Sequence, residues 1–137
     1  IALTRRLWTD ETIDADGEYY RFAPVGFEPK PVQPGGPPIL VGGVSEAAMR
    51  RAITLGDGWI AMDHDLDEAR ALVTRFRTLE AELGHEPGTT PITMGASIKG
   101  PVDLAVWETL GIDRVIVAPW KRARDAEDAL RALAEAW

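Results

Sequence analysis

The sequence predicts an α/β fold, and three observations lead there. Between residues 37 and 137, short apolar runs alternate with amphipathic stretches four times. The runs are apolar at nearly every position, as parallel strands covered on both faces are. Glycines close the first three amphipathic stretches at Gly56, Gly84 and Gly111, where helices commonly stop. A chain of 137 residues, 45% apolar, has room for one domain with one core.

The elements follow in chain order. Residues 2–9 read as a short helix with Leu3, Leu7 and Trp8 inward. The stretch 10–18 is polar and turn-rich, with Asp16-Gly17 as its turn signal. Tyr19, Tyr20 and Phe22 form a short strand-like piece. Residues 23–38 hold six of the ten prolines, which excludes a helix or a central strand because proline has no N–H. Val25, Phe27 and Val32 predict that this stretch packs down as an ordered excursion over the surface.

The alternating part starts with the run 39–41, which ends in Gly42-Gly43. Residues 45–55 form a helix with Ala48, Met49, Ala52 and Ile53 on one face and Ser45 as N-cap. A strand at 59–62 follows Gly56-Asp57-Gly58. Residues 66–83 carry Leu66, Ala69, Leu72, Val73, Phe76, Leu79 and Leu83 at helical spacing, and Gly84 stops them. Strand 92–97, short helix 102–110, strand 115–118 and helix 123–137 complete the pattern. The last helix is expected to bury Ala126, Leu130, Leu133 and Trp137. Two segments result: a helix end with the proline-rich insertion at 1–36, and four β-α units at 37–137. A (β/α)8 barrel runs about 250 residues, so four units are half a barrel by count. A free-standing, doubly wound four-stranded sheet is the alternative, and it would need safe edges.

Composition narrows the partners. The net charge is −7, which disfavours nucleic acid, since a duplex attracts basic faces. No apolar run reaches the ~20 residues of a membrane span. The opening IALTRRLWTDE lacks a secretory h-region, and the expected location is the cytoplasm. The chain starts with Ile rather than Met, so its start is expected to be processed or missing. There is no cysteine, which excludes thiolate metal sites and a cysteine nucleophile. No metal site is expected: one His between two Asp is poor ligand spacing.

Gly42, Gly43, Val44 and Ser45 are the leading candidates for binding. They join a strand to a helix start, where unpaired N–H groups and a partial positive charge suit a phosphate. A plain tight βα turn accounts for the same glycines, and spacing alone leaves both readings open. Asp63, His64 and Asp65 follow the second strand, on the side where barrel enzymes hold their sites. His64 with a neighbouring Asp suits general acid–base work; it also reads as an exposed loop residue that starts the next helix. Trp120, with Lys121 and Arg122, follows the fourth strand and suits a ring pocket with an anionic tail, or a cap on the barrel mouth. Lys99-Gly100 is a similar, weaker candidate. Asp57 reads as orienting its turn, one of Arg50 and Arg51 as pairing with an acid such as Asp57, and Trp59 as core.

The ordered strings PKPVQP (29–34), PPILVGG (37–43), AMRRA (48–52) and GDGW (56–59) together resemble the luciferase-like monooxygenase superfamily. The resemblance is nearest to its deazaflavin (coenzyme F420)-dependent oxidoreductases. LWT (7–9), GEYY (17–20) and GIDRV (111–115) fit the same pattern, so it spans nearly the whole chain. The resemblance implies a (β/α)8 TIM barrel of which this chain is the C-terminal half, strands five to eight. It implies that Gly42, Gly43, Val44 and Ser45 bind the phosphate of coenzyme F420, or of FMN as the alternative carrier. The reaction implied is hydride transfer to or from a small organic substrate, with an FMN-dependent monooxygenase as the runner-up. The first four strands, which would carry the ring support and much of the substrate pocket, have no counterpart here. No catalytic residue is therefore assigned, and the chain alone is expected to be inactive. A homo-oligomer, or association with an N-terminal half, is the expected assembly. A non-catalytic half-barrel that self-associates is the reading from a different class.

Overall fold

The computed structural model describes residues 1–62, 64–96, 98 and 101–136, with the backbone alone at 101 and 102. It divides into two compact units, Ile1–Ile39 and Leu40–Trp137.

The first unit holds helix α1 (Ala2–Thr9) and an antiparallel hairpin of β1 (Ile13–Asp16) and β2 (Arg21–Val25). Strand β1 corrects the expectation of an irregular turn over 10–18. Its residues alternate, with Ile13 only 1% exposed and Ala15 half-buried between exposed Asp14 and Asp16. Two-residue periodicity was present but diluted by acidic residues. Tyr19 and Tyr20 lie in the hairpin loop, exposed, where the Gly17 N–H donates to the Tyr20 carbonyl at 2.9 Å. The register slips by one residue between Ile13 and Ala15. Pro24 sits opposite this irregularity in a strand that has no inner position to fill.

The proline-rich stretch is fastened by a polar contact rather than by its apolar residues. Lys30 Nζ donates to the carbonyls of Leu7 at 3.0 Å and Asp10 at 2.6 Å, at the end of α1. Those carbonyls lack intrahelical partners, and a lysine supplies charge where the helix dipole is negative. Val25, Phe27 and Val32, expected inward, are exposed.

The second unit is a parallel sheet in the order β3 (Leu40–Gly42), β4 (Gly58–Ala61), β5 (Ile92–Ala96), β6 (Arg114–Val117). Helices α2 (Glu46–Leu55), α3 (Leu66–Glu82) and α4 (Pro101–Glu108) connect successive strands, and α5 (Ala126–Glu135) follows β6. This is the mixed α/β class that the alternation predicts, with boundaries shifted by one to three residues; the largest shift is at α5, whose expected first turn is a 3-10 turn at Ala123–Asp125.

Alternate residues of each strand build the core. Val41, Trp59, Ala61, Ile92, Met94, Val115 and Val117 belong to one cluster with Met49, Ala52, Phe76 and Leu79 of the helices. Trp59 is fully buried and stacks on Phe76, with centroids 4.6 Å apart and planes 7° from parallel. The opposite strand face carries Gly42, Ile60, Thr93, Gly95, Arg114 and Ile116, which the register places beside one another. It is less apolar than strands covered equally on both faces would be. Helix α5 also departs from expectation. None of its described residues is buried, and Leu130 is exposed. Strand β6 is the sheet's edge, so a helix that follows it has only one strand to lie across. The expected burial of Trp137 lies outside the described residues.

The amino ends of the strands are stapled by polar groups. Asp113 Oδ2 accepts the Ile92 N–H at 2.7 Å, and the Asp113 N–H donates to the Ile92 carbonyl at 3.0 Å. Glu80 is fully buried and accepts from Thr90 N at 2.8 Å, Gly88 N at 2.8 Å and Arg77 Nη1 at 2.9 Å. Burial alone would raise the Glu80 carboxyl. The Gly88 N–H, the Arg77 guanidinium and the Thr90 N–H outweigh it and hold the group below the ordinary carboxylate range. Arg77 also donates to the carbonyls of Thr90 and Gly111, which precede β5 and β6. On the outer surface, Arg50 and Arg75 both bridge Glu46 and Glu82. Of the two adjacent arginines, Arg50 is thus one that pairs with acids, Glu46 of α2 and Glu82 of α3.

Candidate functional site

The carboxyl ends of the same strands carry the chemistry-bearing residues. At β3, the chain leaves the sheet through Gly42 and Gly43 and enters α2 at Ser45. Ser45 is the N-cap: its hydroxyl oxygen accepts the Ala48 N–H at 3.2 Å. Its carbonyl accepts the Ala48 and Met49 N–H groups. No protein acceptor takes the N–H of Val44, Ser45, Glu46 or Ala47 among the described hydrogen bonds. These residues are exposed.

The two glycines do different things. Gly43 has φ +106°, a conformation that side chains resist, and an added Cβ would sit 3.3 Å from the Ala48 Cβ. Its N–H donates to the Ile60 carbonyl at 3.3 Å, so it shapes the turn rather than offering a donor. Its carbonyl accepts the Trp59 indole N–H at 2.7 Å. The core residue Trp59 therefore holds the loop from inside. Gly42 has an ordinary backbone, and an added Cβ would make only normal contact with Ile60 at 3.8 Å. Nothing within the sheet requires glycine there. The neighbouring motif is also explained: a Cβ on Gly56 would meet the Ala52 carbonyl and Val41 at 2.9 Å, and one on Gly58 would meet Leu40 at 2.7 Å.

Across β4, β5 and β6 lies a cavity of about 380 Å³, lined by Met62, His64, Asp65, Gly95, Ala96, Ile116 and Ala118. His64 Nδ1 lies 3.3 Å from Glu68 Oε2, and the imidazole side chain is 20% exposed. Glu68 Oε2 also accepts the Asp65 N–H at 3.3 Å, while Asp65 Oδ1 accepts the N–H groups of Asp67 and Glu68. This capping box starts α3. Asp65 is thus committed to the helix, and Glu68 is the acid that meets His64. The signal was legible as Asp-x-x-Glu at a helix start with His four residues before the Glu. Trp120 is half-buried beyond β6 and does not line this cavity. Asp63, Lys99 and Gly100 lie outside the described residues. Among the described residues, no group of three His, Asp or Glu could hold a metal ion, and no helix is long and apolar enough to cross a membrane.

The model of the luciferase-like monooxygenase family matches residues 1–108. The chain belongs to that family. The first curated relatives are uncharacterized mycobacterial proteins, 34% to 39% identical, and the chain spans 28% to 46% of their length. An F420-dependent hydroxymycolic acid dehydrogenase of Mycobacterium tuberculosis is 34% identical over 65% of this chain and 24% of its own. An FMNH2-dependent dimethylsulfone monooxygenase of Pseudomonas putida is 31% identical over 62% of this chain and 23% of its own. Among solved structures, monooxygenase RslO1 from Streptomyces bottropensis matches 98% of this chain and 39% of its own, at 25% identity and a TM-score of 0.56. The family therefore includes F420-dependent and FMNH2-dependent members. The part matched here is the sheet, its helices and the hairpin unit before them.

Proposed function

We propose that this chain is the phosphate-side half, strands five to eight, of a (β/α)8 oxidoreductase that transfers hydride between coenzyme F420 and a small organic substrate. The observation that carries this reading is the β3–α2 turn. Gly43 is held by Trp59 and Ile60, Gly42 keeps its outer side clear, and the N–H groups from Val44 to Ala47 have no protein acceptor among the described hydrogen bonds. A phosphate at a helix start needs this combination of close approach, free donors and fixed backbone. Gly42, Gly43, Val44 and Ser45 would hold the coenzyme's phosphate group, with Ser45 able to donate its hydroxyl proton while its oxygen caps the helix. The coenzyme would supply two-electron hydride chemistry, and the protein would supply binding and orientation.

FMN is the alternative carrier, favoured by the FMNH2-dependent relative; both carriers hold a phosphate on the ring's side chain, a diester in F420 and terminal in FMN, so the turn fits either. The missing strands of the barrel would come from a preceding half or from a second copy of this chain. Titration of the chain with F420, FMN and inorganic phosphate, followed by amide chemical shifts, tests the site. The expected result is a response confined to residues 42–47, at lower concentration for one carrier than for phosphate. Equal binding by a Gly42→Val variant would reject the assignment.

A further inference from the structure

Resting on the reading above and deepening it, we propose that Arg75, together with Arg50, is a positioning residue for the anion-binding turn. The two guanidiniums hold the Glu46 carboxylate away from the free N–H groups at the start of α2 and so leave them to a phosphate. Glu46 is the first residue of α2, and its own N–H is one of those donors. A carboxylate in the first turn is attracted by the same unpaired N–H groups and partial positive charge that attract a phosphate. Left to itself it would compete for the donors and repel the ligand. Both of its oxygens are taken elsewhere. Oε2 accepts from Arg75 Nη2 at 2.8 Å, and Oε1 accepts from Arg50 Nε at 2.9 Å and Nη2 at 2.8 Å. Among the described hydrogen bonds, no backbone N–H donates to Glu46.

Glu82 of α3 closes the arrangement into a ring, accepting from Arg50 Nη2 at 3.2 Å and Arg75 Nη1 at 2.9 Å. The four side chains are 40% to 51% exposed, and a single ion pair at that exposure would hold little. In a ring of alternating charge each member is fixed by two partners. Arg75, and after it Arg50, holds the Glu46 carboxyl below the ordinary carboxylate range. Helix α3 provides the contrast. Its first-turn acid Glu68 turns back to accept the Asp65 N–H, and Asp65 accepts from Asp67 and Glu68. The donors at that helix start are consumed by its own acids. At α2 the cap is a neutral serine that takes the Ala48 N–H, and the first-turn acid is drawn aside by an arginine 29 positions along the chain. The helix start that keeps its donors is the one whose acid is restrained.

The test is a titration with inorganic phosphate at neutral pH and low ionic strength, read from the amide shifts of residues 42–47. Arg75→Gln is expected to weaken phosphate about three- to tenfold, the scale of one uncompensated charge several ångströms away at the protein–water boundary. Arg75→Lys should retain most of the affinity, since it keeps the charge. In a Glu46→Gln background the competitor is gone, and adding Arg75→Gln should change affinity by less than about twofold. That double variant separates positioning from direct attraction, because a guanidinium that drew phosphate by its own charge would be missed equally in both backgrounds. Arg50→Gln should act in the same direction as Arg75→Gln and replaces it if that variant does not fold. A second readout needs no ligand. In Arg75→Gln the amides of residues 44–48 should follow pH through the ordinary carboxylate range as Glu46 turns onto them, and in the double variant they should not. Equal phosphate affinity in the unmodified chain and Arg75→Gln would overturn the proposal. So would a loss that persists undiminished in the Glu46→Gln background, or amides in Arg75→Gln that ignore the Glu46 carboxyl. Failure of the phosphate-site reading looks different: phosphate, F420 and FMN then leave residues 42–47 of the unmodified chain unmoved. That result rejects the site and this role together, whereas phosphate binding that is indifferent to Arg75 rejects this role alone.

Discussion

Replacing Trp59 with Phe isolates the link between the core and the glycine turn. The indole is fully buried, stacks on Phe76 and donates to the Gly43 carbonyl at 2.7 Å. Phenylalanine keeps an aromatic ring against Phe76 but deletes the N–H and part of the buried volume. The lost hydrogen bond costs about 0.5–1.5 kcal/mol, because water can reach the exposed Gly43 carbonyl and limit the penalty. The missing ring atoms cost about 2 kcal/mol more at ~0.8 kcal/mol per buried carbon, with a cavity contribution on top. The expected destabilisation is therefore about 2–4 kcal/mol, read as a lower urea midpoint in far-UV circular dichroism at unchanged slope. Tryptophan emission is unsuitable as the probe, since the substitution removes one emitter. The turn should also loosen, so binding of phosphate or of either carrier by residues 42–47 should weaken at urea-free conditions where the variant is folded. A loss below about 1 kcal/mol would refute the packing argument, given typical core values. A full stability loss with unchanged ligand affinity would refute the claim that Trp59 shapes the site.

The remaining predictions address separate contacts. Gly43→Ala should cost about 1–3 kcal/mol of stability because φ is +106° there, whereas Gly42→Ala should stay within about 0.5 kcal/mol and still weaken carrier binding; equal stability losses at the two positions would contradict the division of roles. Asp65→Ala should destabilise α3 by about 0.5–2 kcal/mol through loss of the N-cap, measured by urea unfolding. Glu80→Gln should cost about 1–3 kcal/mol, since an amide cannot accept from all three donors and leaves a buried N–H unpaired. The Glu80 carboxyl is depressed in the folded chain. Its contribution to stability is therefore complete above the unfolded carboxylate pKa of about 4.3 and disappears as pH falls through the folded value. Unfolding curves of Glu80→Gln should show a shallower loss of stability in that acid range than the unmodified chain, and identical slopes would reject the assignment.

Much of the second unit was legible along the chain. Helix α3 was visible because Ala69, Val73, Phe76 and Leu79 recur on one face over seventeen residues. The strands were visible because they are short apolar runs between glycine stops. The family was legible in the order of PKPVQP, PPILVGG and GDGW, whose glycines the packing explains at Gly56 and Gly58. The failures have local causes. Strand β1 was masked because acidic residues occupy its outward positions. Helix α5 has the periodicity of a buried element but follows an edge strand, and periodicity does not say whether a partner is present.

Local order along the chain was enough for the fold class, the glycine turn and the capping residue Ser45, because each depends on near neighbours. Contacts across tens of residues were not readable in that way. Trp59 meets Gly43 because β3 and β4 are parallel and in register, so the indole reaches the turn of the adjacent strand. Glu80 is buried because the returning loop brings Gly88 and Thr90 back to the end of α3. The cavity beside His64 exists because three strand ends converge on it. Sequence spacing encodes which face of an element is apolar; only the packed sheet decides which element lies opposite, and therefore which polar atom finds a partner.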